Sequence, residues 1–227
     1  GCGETRGISN ELCGLLAGYA CNPNVAGITV LSLGCQHAQV SILEREISQR
    51  SPNFKKPLLV FEQQKYASER EMMEQAIRQT FAGLAQANRL RRAATPLSKL
   101  SLGMECGASD GFSGISASPA IGRVADLTVA LGGKVILSEF PELCGVEQEI
   151  VNRCMNRETG DRFIEIMRNY EERVKEAGSG FHMNPSPGNV KDGLVTDAIK
   201  SAGAARKGGT SPIVDALDYP GWVTKPG

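Results

Sequence analysis

The chain has 227 residues, with Lys plus Arg and Asp plus Glu each totalling 25, and this length can bury one large or two small cores without staples. A formal net charge of zero removes the overall field that draws a protein onto nucleic acid or an anionic membrane. No apolar run approaches the ~18 residues of a membrane-spanning helix, and Gly1-Cys2-Gly3-Glu4 is neither a signal nor a transit peptide. The expected setting is the cytoplasm, with small molecules or protein as partners.

Residues 8 to 20 place Leu12, Leu15, Leu16 and Tyr19 at helical spacing, and Asn22-Pro23-Asn24 stops that helix. Ala26 to Leu33 is a continuous apolar, β-branched run, which predicts a strand covered on both faces that ends at Gly34-Cys35-Gln36. A helix is expected over 38–50. Pro57 to Phe61 reads as a second buried strand ending in Glu62, and Ser68 with Glu71 forms a capping box for a helix to about Arg92. Ala93 to Pro96 reads as a linker.

Beyond it, Lys99 to Met104 predicts a strand running into Glu105-Cys106-Gly107, then a glycine-rich loop and a helix from about Ala120 to Leu131. Lys134 to Ser138 is the next strand and ends at Glu139; helices are expected over 147–154, 159–177 and near 196–201. Strands alternating with helices predict an α/β fold of three layers, with mainly parallel sheets and helices on both faces. Two Rossmann-like modules are expected, at residues 1–95 and 96–227. Ligands of such sheets sit beyond the carboxyl ends of the strands, where this chain places Cys35, Glu62, Cys106 and Glu139.

Seven cysteines, an odd number in a chain of this size, point to thiols or metal ligands rather than a disulfide framework. Cys2, Cys35 and Cys106 each adjoin a glycine, and two of them directly follow a predicted strand, whereas Cys13, Cys21, Cys144 and Cys154 fall in or beside helices and read as packing residues. Packing is the commoner role for any one cysteine. Three thiolates meeting from separate loops would suit a soft metal or an iron–sulfur cluster with an open iron.

The loop from Gly107 to Gly114 carries Ser109, Asp110, Gly111 and Ser113 ahead of a helix and offers backbone N–H groups to an anion such as a carboxylate. A plain turn with a helix cap is the alternative. Its GxxxGxxG spacing matches neither the dinucleotide fingerprint nor the phosphate-binding loop. Glu139 and Glu142, just past a buried strand, are candidate bases or metal ligands. Asn184 to Asn189 holds two prolines and a glycine, a stiff polar loop suited to hydroxyl recognition or to plain connection.

Together these segments resemble the altronate/galactarate dehydratase family. The resemblance rests on Gly1-Cys2-Gly3, Leu15, Ala17-Gly18-Tyr19 with Asn22-Pro23-Asn24, Leu33-Gly34-Cys35, Glu105-Cys106-Gly107 with Ser109 to Gly114, Ile136 to Glu139, Asn184 to Asn189, and Lys207-Gly208-Gly209-Thr210. It implies that the chain is the central part of a longer enzyme, comprising the family's second domain and the start of its C-terminal domain, with further segments on both sides. It implies a hydro-lyase that converts an acyclic sugar acid of altronate or galactarate type to a 2-keto-3-deoxy acid, using iron (Fe2+ or an iron–sulfur cluster) or Mn2+.

Within that chemistry, the residues read above are assigned as follows: Cys2, Cys35 and Cys106 as metal ligands and Glu139 and Glu142 as catalytic groups. Ser109, Asp110, Gly111, Ser113, Asn184, Asn189 and Lys207 are assigned to substrate. The sequence departs from the family at Ala108, at Ser118 and at Lys191, where the lysine after Asn189 stands one place further on. A lyase of the sulfolactate sulfo-lyase type and a non-catalytic α/β module of a larger enzyme are the alternatives, and a homo-oligomer remains open.

Overall fold

The structure, a computed structural model, describes residues 6–106, 110–194, 196–218, 221, 223, 225 and 227. The chain divides into two compact units, Gly1–Ala93 and Ala94–Gly227.

The first unit runs α1 (Arg6–Cys21), β1 (Ile28–Ser32), α2 (Val40–Arg50), β2 (Leu58–Glu62) and α3 (Glu69–Ala87). The strands pair in parallel, Ile28 opposite Leu58 and Ser32 opposite Glu62. Side chains alternate across a strand: Ile28, Val30 and Leu58 pack with α1 and α2, while Leu59 and Phe61 pack with Met72 and Ala76 of α3. The Ser68 hydroxyl accepts from the Glu71 amide at 3.2 Å and starts α3, as the sequence motif predicts.

Two expectations change here. The strand over 26–33 was expected to be covered on both faces, yet Thr29 and Leu31 are exposed. Leu12, Leu16 and Tyr19 form the exposed stripe of α1, and the buried stripe is Ser9, Cys13, Ala17 and Ala20. Small side chains let α1 approach α2 closely, and this close approach outweighs the larger hydrophobes in setting the buried face. Burial raises the pKa of the Cys13 thiol, in keeping with a packing cysteine.

The second unit contains β3 (Ser101–Met104), α4 (Ala117–Ala130), β4 (Lys134–Leu137), α5 (Glu147–Arg153), α6 (Arg157–Glu176), α7 (Pro187–Lys191) and α8 (Asp197–Lys207). β3 and β4 pair in parallel, Ser101 opposite Lys134 and Met104 opposite Leu137. Its core joins Leu143, Ile150, Phe163, Met167, Ala204 and Ala205 from α5, α6, α8 and the 3-10 turn Phe140–Leu143. Phe140, Tyr170 and Phe181 extend it, with ring centroids 5.1 and 6.0 Å apart in succession.

The α/β class therefore holds. The described strands form two parallel pairs. No helix among the described residues is long and apolar enough to cross a membrane.

Candidate active site

Because β3 and β4 are parallel and in register, the residues leaving their carboxyl ends start side by side. Cys106 lies two residues past β3 and Glu139 two residues past β4. The Cys106 amide donates to Glu139 Oε2 at 2.5 Å, and the Ser138 hydroxyl donates to the Met104 carbonyl. Glu139 has φ 58°, a positive value that no other non-glycine residue among those described shares. Such a backbone costs roughly 1–2 kcal/mol and persists where the surroundings fix it. Here it turns the chain from β4 into the 3-10 turn, whose Leu143 is held in the core and whose Glu142 meets α8.

α8 answers with two lysines seven residues apart, about two turns and so on one stripe. Lys200 Nζ lies 3.1 Å from Glu142 Oε1 and donates to Asn184 Oδ1 at 2.7 Å. Lys207 Nζ lies 3.6 Å from Glu139 Oε2 and 3.7 Å from Glu142 Oε2. Lys207 is 3% exposed, and it is the one charged residue that is buried among those described. Neither Lys207 Nζ nor Glu142 Oε2 has a hydrogen-bond partner among the described residues. Buried polar atoms left so are costly, and here a carboxylate oxygen and an ammonium nitrogen stand just too far apart to satisfy each other.

The Cys106 Sγ and one oxygen each of Glu139 and Glu142 all lie within 4.8 Å of one another. One soft and two hard donors suit a single divalent ion such as Fe2+ or Mn2+. A cluster is held by about three or four thiolates, which this set does not supply. The orphaned Glu142 Oε2 is the atom that such an ion would satisfy. A cavity of about 30 Å3 beside the cluster, lined by Cys106, Ser113, Ser118, Lys200 and Lys207 among others, has room for an ion or a water and not for a sugar acid.

A groove of about 530 Å3 lies along the other stripe of α8, beside Ala202, Ala205 and Arg206. Its charged lining is largely structural. Asp126 accepts from the Thr210 and Ser211 amides at 2.8 and 2.9 Å and from both hydroxyls. Burial opposes ionisation of Asp126, but the bonds from Ser211 and Thr210 outweigh it and hold its pKa below the ordinary value. Arg153 donates to the Gly208 and Ser211 carbonyls. These contacts fix the turn that follows Lys207.

Of the residues singled out in the sequence, Cys106, Glu139, Glu142 and Lys207 come together. Asn184 joins them through Lys200. Cys2 and Ser109 lie outside the described residues. Cys35 is exposed in the first unit, in a turn where Ser32 and Gln36 hydrogen-bond Gly34. Asn189 sits within the short helix α7, capped by Ser186, and is not part of the cavity lining.

Asp110, Gly111 and Ser113 line the cavity, but not as an open anion cradle. The Phe112 and Ser113 amides donate to Asp110 Oδ1, and the Gly111 amide to the Asp192 carbonyl. The glycines instead admit backbone: a Cβ on Gly111 would stand 2.8 Å from the Gly193 oxygen, and one on Gly114 3.4 Å from the Gly203 Cα. Lys200 was missed in the sequence. Its signal is its two-turn spacing from Lys207.

A family model described as the C-terminal part of D-galactarate/altronate dehydratase matches residues 97–227, and one for the second domain of D-galactarate dehydratase/altronate hydrolase matches residues 1–88. The chain is 33% identical over 205 residues to an altronate dehydratase of Bacillus subtilis, covering 87% of this chain and 39% of that protein. It is 34% identical over 199 residues to a galactarate dehydratase (L-threo-forming) of Escherichia coli, covering 86% and 38%. It is 29% identical over 217 residues to a (2R)-sulfolactate sulfo-lyase subunit beta of Chromohalobacter salexigens, covering 93% and 54%. The chain thus spans about two fifths of the length of the two dehydratases.

Proposed function

We propose that this chain, which belongs to the D-galactarate/altronate dehydratase family, carries the ion-binding and proton-abstracting centre of a hydro-lyase acting on an acyclic sugar acid. The observation that carries this reading is the convergence of Cys106, Glu139 and Glu142 at the carboxyl ends of β3 and β4, with the buried Lys207 beside them. The substrate is a hexonate or hexarate, and the product is a 2-keto-3-deoxy acid.

The chemical difficulty is the C2 proton, because removing it beside an ionised carboxylate creates a second negative charge. A divalent ion held by Cys106 and the two glutamates would act as a Lewis acid that spreads this charge. The protein's own groups do the rest. Glu139, with 31% of its side chain exposed against 13% for Glu142, is the more accessible carboxylate and takes the C2 proton at Oε1. The other Glu139 oxygen and Glu142, which Lys200 braces, would hold the ion. The proton departs with the 3-hydroxyl as water, and the enol tautomerises to the keto acid.

The test is anaerobic purification of the complete enzyme, metal and sulfide analysis, and a screen of hexonates and hexarates for 2-keto acid formation. Turnover should disappear on chelation and return with Fe2+ or Mn2+. Glu139→Gln, which keeps a weaker oxygen donor, should loosen the ion without abolishing its binding and lose about 10²–10⁴-fold in rate at saturating ion, whereas Cys106→Ser should lose ion and rate together. Normal turnover by the chelated enzyme would overturn the reading. The likeness to the sulfo-lyase subunit supports a second reading, in which the same proton is removed from a related acid whose leaving group is not water; the substrate screen separates the two.

A further inference from the structure

Lys207 is an unusual neighbour for a cation site. A buried ammonium costs several kcal/mol in desolvation unless it is paired and hydrogen-bonded, and Lys207 is paired without a hydrogen bond, at 3.6 and 3.7 Å from two carboxylates. Those two carboxylates, with Cys106, are the donors available to an ion. The ammonium and a divalent ion therefore compete for the same negative charge.

We infer that Lys207 stands in for the ion: with no ion bound it neutralises Glu139 and Glu142, and when the ion takes them its ammonium is released to hold the substrate carboxylate. Charge balance supports this order. Without an ion, two carboxylates face two ammonium groups, those of Lys200 and Lys207, and the charges cancel. Adding a divalent ion leaves an excess of positive charge even with the Cys106 thiol ionised, and one substrate carboxylate neutralises it. Space supports it too, because the cavity of about 30 Å3 beside Lys207 has room for an ion or a water and for nothing larger, so Lys207 must swing for a carboxylate to reach it. Ion binding and sugar-acid binding are then coupled through one side chain, with the ion entering first. By linkage, each tightens the other.

This inference rests on the ion-dependent reading above, and its test separates the two. Binding of Mn2+ alone is measured by calorimetry on the wild-type protein and on Lys207→Gln and Lys207→Arg. Removing the competing charge should make Lys207→Gln bind Mn2+ about tenfold more tightly, while Lys207→Arg stays near wild type. In turnover, Lys207→Gln should raise KM for the sugar acid more than it lowers kcat. A merely structural lysine would weaken both affinities, so the opposite signs are diagnostic. Lys207→Met, apolar and of similar length, repeats the measurement if the glutamine variant does not fold. Unchanged or weaker Mn2+ binding in the charge-removing variants overturns the role of Lys207 alone, and absence of Mn2+ binding in every protein overturns the ion-dependent reading as well.

Discussion

Two helix glycines of the first unit differ in their surroundings from two of the second. In the first, Gly18 of α1 and Gly83 of α3 have nothing within 4 Å of where a Cβ would stand. In the second, a Cβ on Gly122 of α4 would overlap the Arg206 carbonyl, and one on Gly203 of α8 would stand 3.1 Å from the Gly114 Cα. The first unit is held by two small apolar clusters on a sheet pair and leaves Ile8, Tyr19, Ile77, Phe81 and Leu84 exposed. The second brings backbone against backbone along α8, and its buried charge sits on that same helix. Close backbone contact fixes α8, and a fixed α8 can hold two lysines against two glutamates in a nearly dry place.

The sharpest way to break this contrast is to remove one of the charges. Glu142→Ala would leave Lys200 with only the Asn184 amide oxygen and Lys207 with only Glu139 among the described residues. It should cost the second unit about 3 kcal/mol, as when one partner of a buried pair is deleted, and abolish turnover; urea unfolding and a 2-keto acid assay check both. Gly122→Ala should cost about 2–3 kcal/mol by forcing α4 from α8, again read by urea unfolding.

Asp126→Ala loosens the same helix from its far end, and at neutral pH should cost about 1.5–2 kcal/mol for its charged hydrogen bonds. The folded pKa of Asp126 lies below its ordinary 3.8, so its contribution is complete above 3.8 and fades as the pH falls through the lowered folded value. Wild type and Asp126→Ala should therefore converge in acid, which a series of melting curves would show. The smallest effect sharpens the contrast from the other side. Gly83→Ala, with open space around it, should stabilise α3 by about 0.5–1 kcal/mol, seen as a higher melting temperature.

The elements that carry the site were legible in the sequence because short strand-like runs lead to single, chemically distinct residues: Met104 leads to Cys106 and Leu137 to Glu139. The sequence cannot show that β3 and β4 are neighbours in register, and this is what turns two separate residues into a pair. The role of the glycines was hidden for a related reason. Gly111 and Gly114 look like a cradle for a ligand, and only the fold reveals that Gly193 and Gly203 press on them. In α1 the pattern of large hydrophobes marks a helix but not its buried face, because the close approach of α2 selects Cys13, Ala17 and Ala20 instead. Lys200 passed unnoticed because a lysine on a helix is ordinarily a solvated charge, and its side chain here is 10% exposed.

The most direct test is X-ray absorption at the iron edge of the complete protein loaded anaerobically with Fe2+. A centre built on Cys106, Glu139 and Glu142 predicts a shell of one sulfur with oxygen ligands, and loss of that sulfur in Cys106→Ser. A shell of several sulfurs, or one with none, would contradict it.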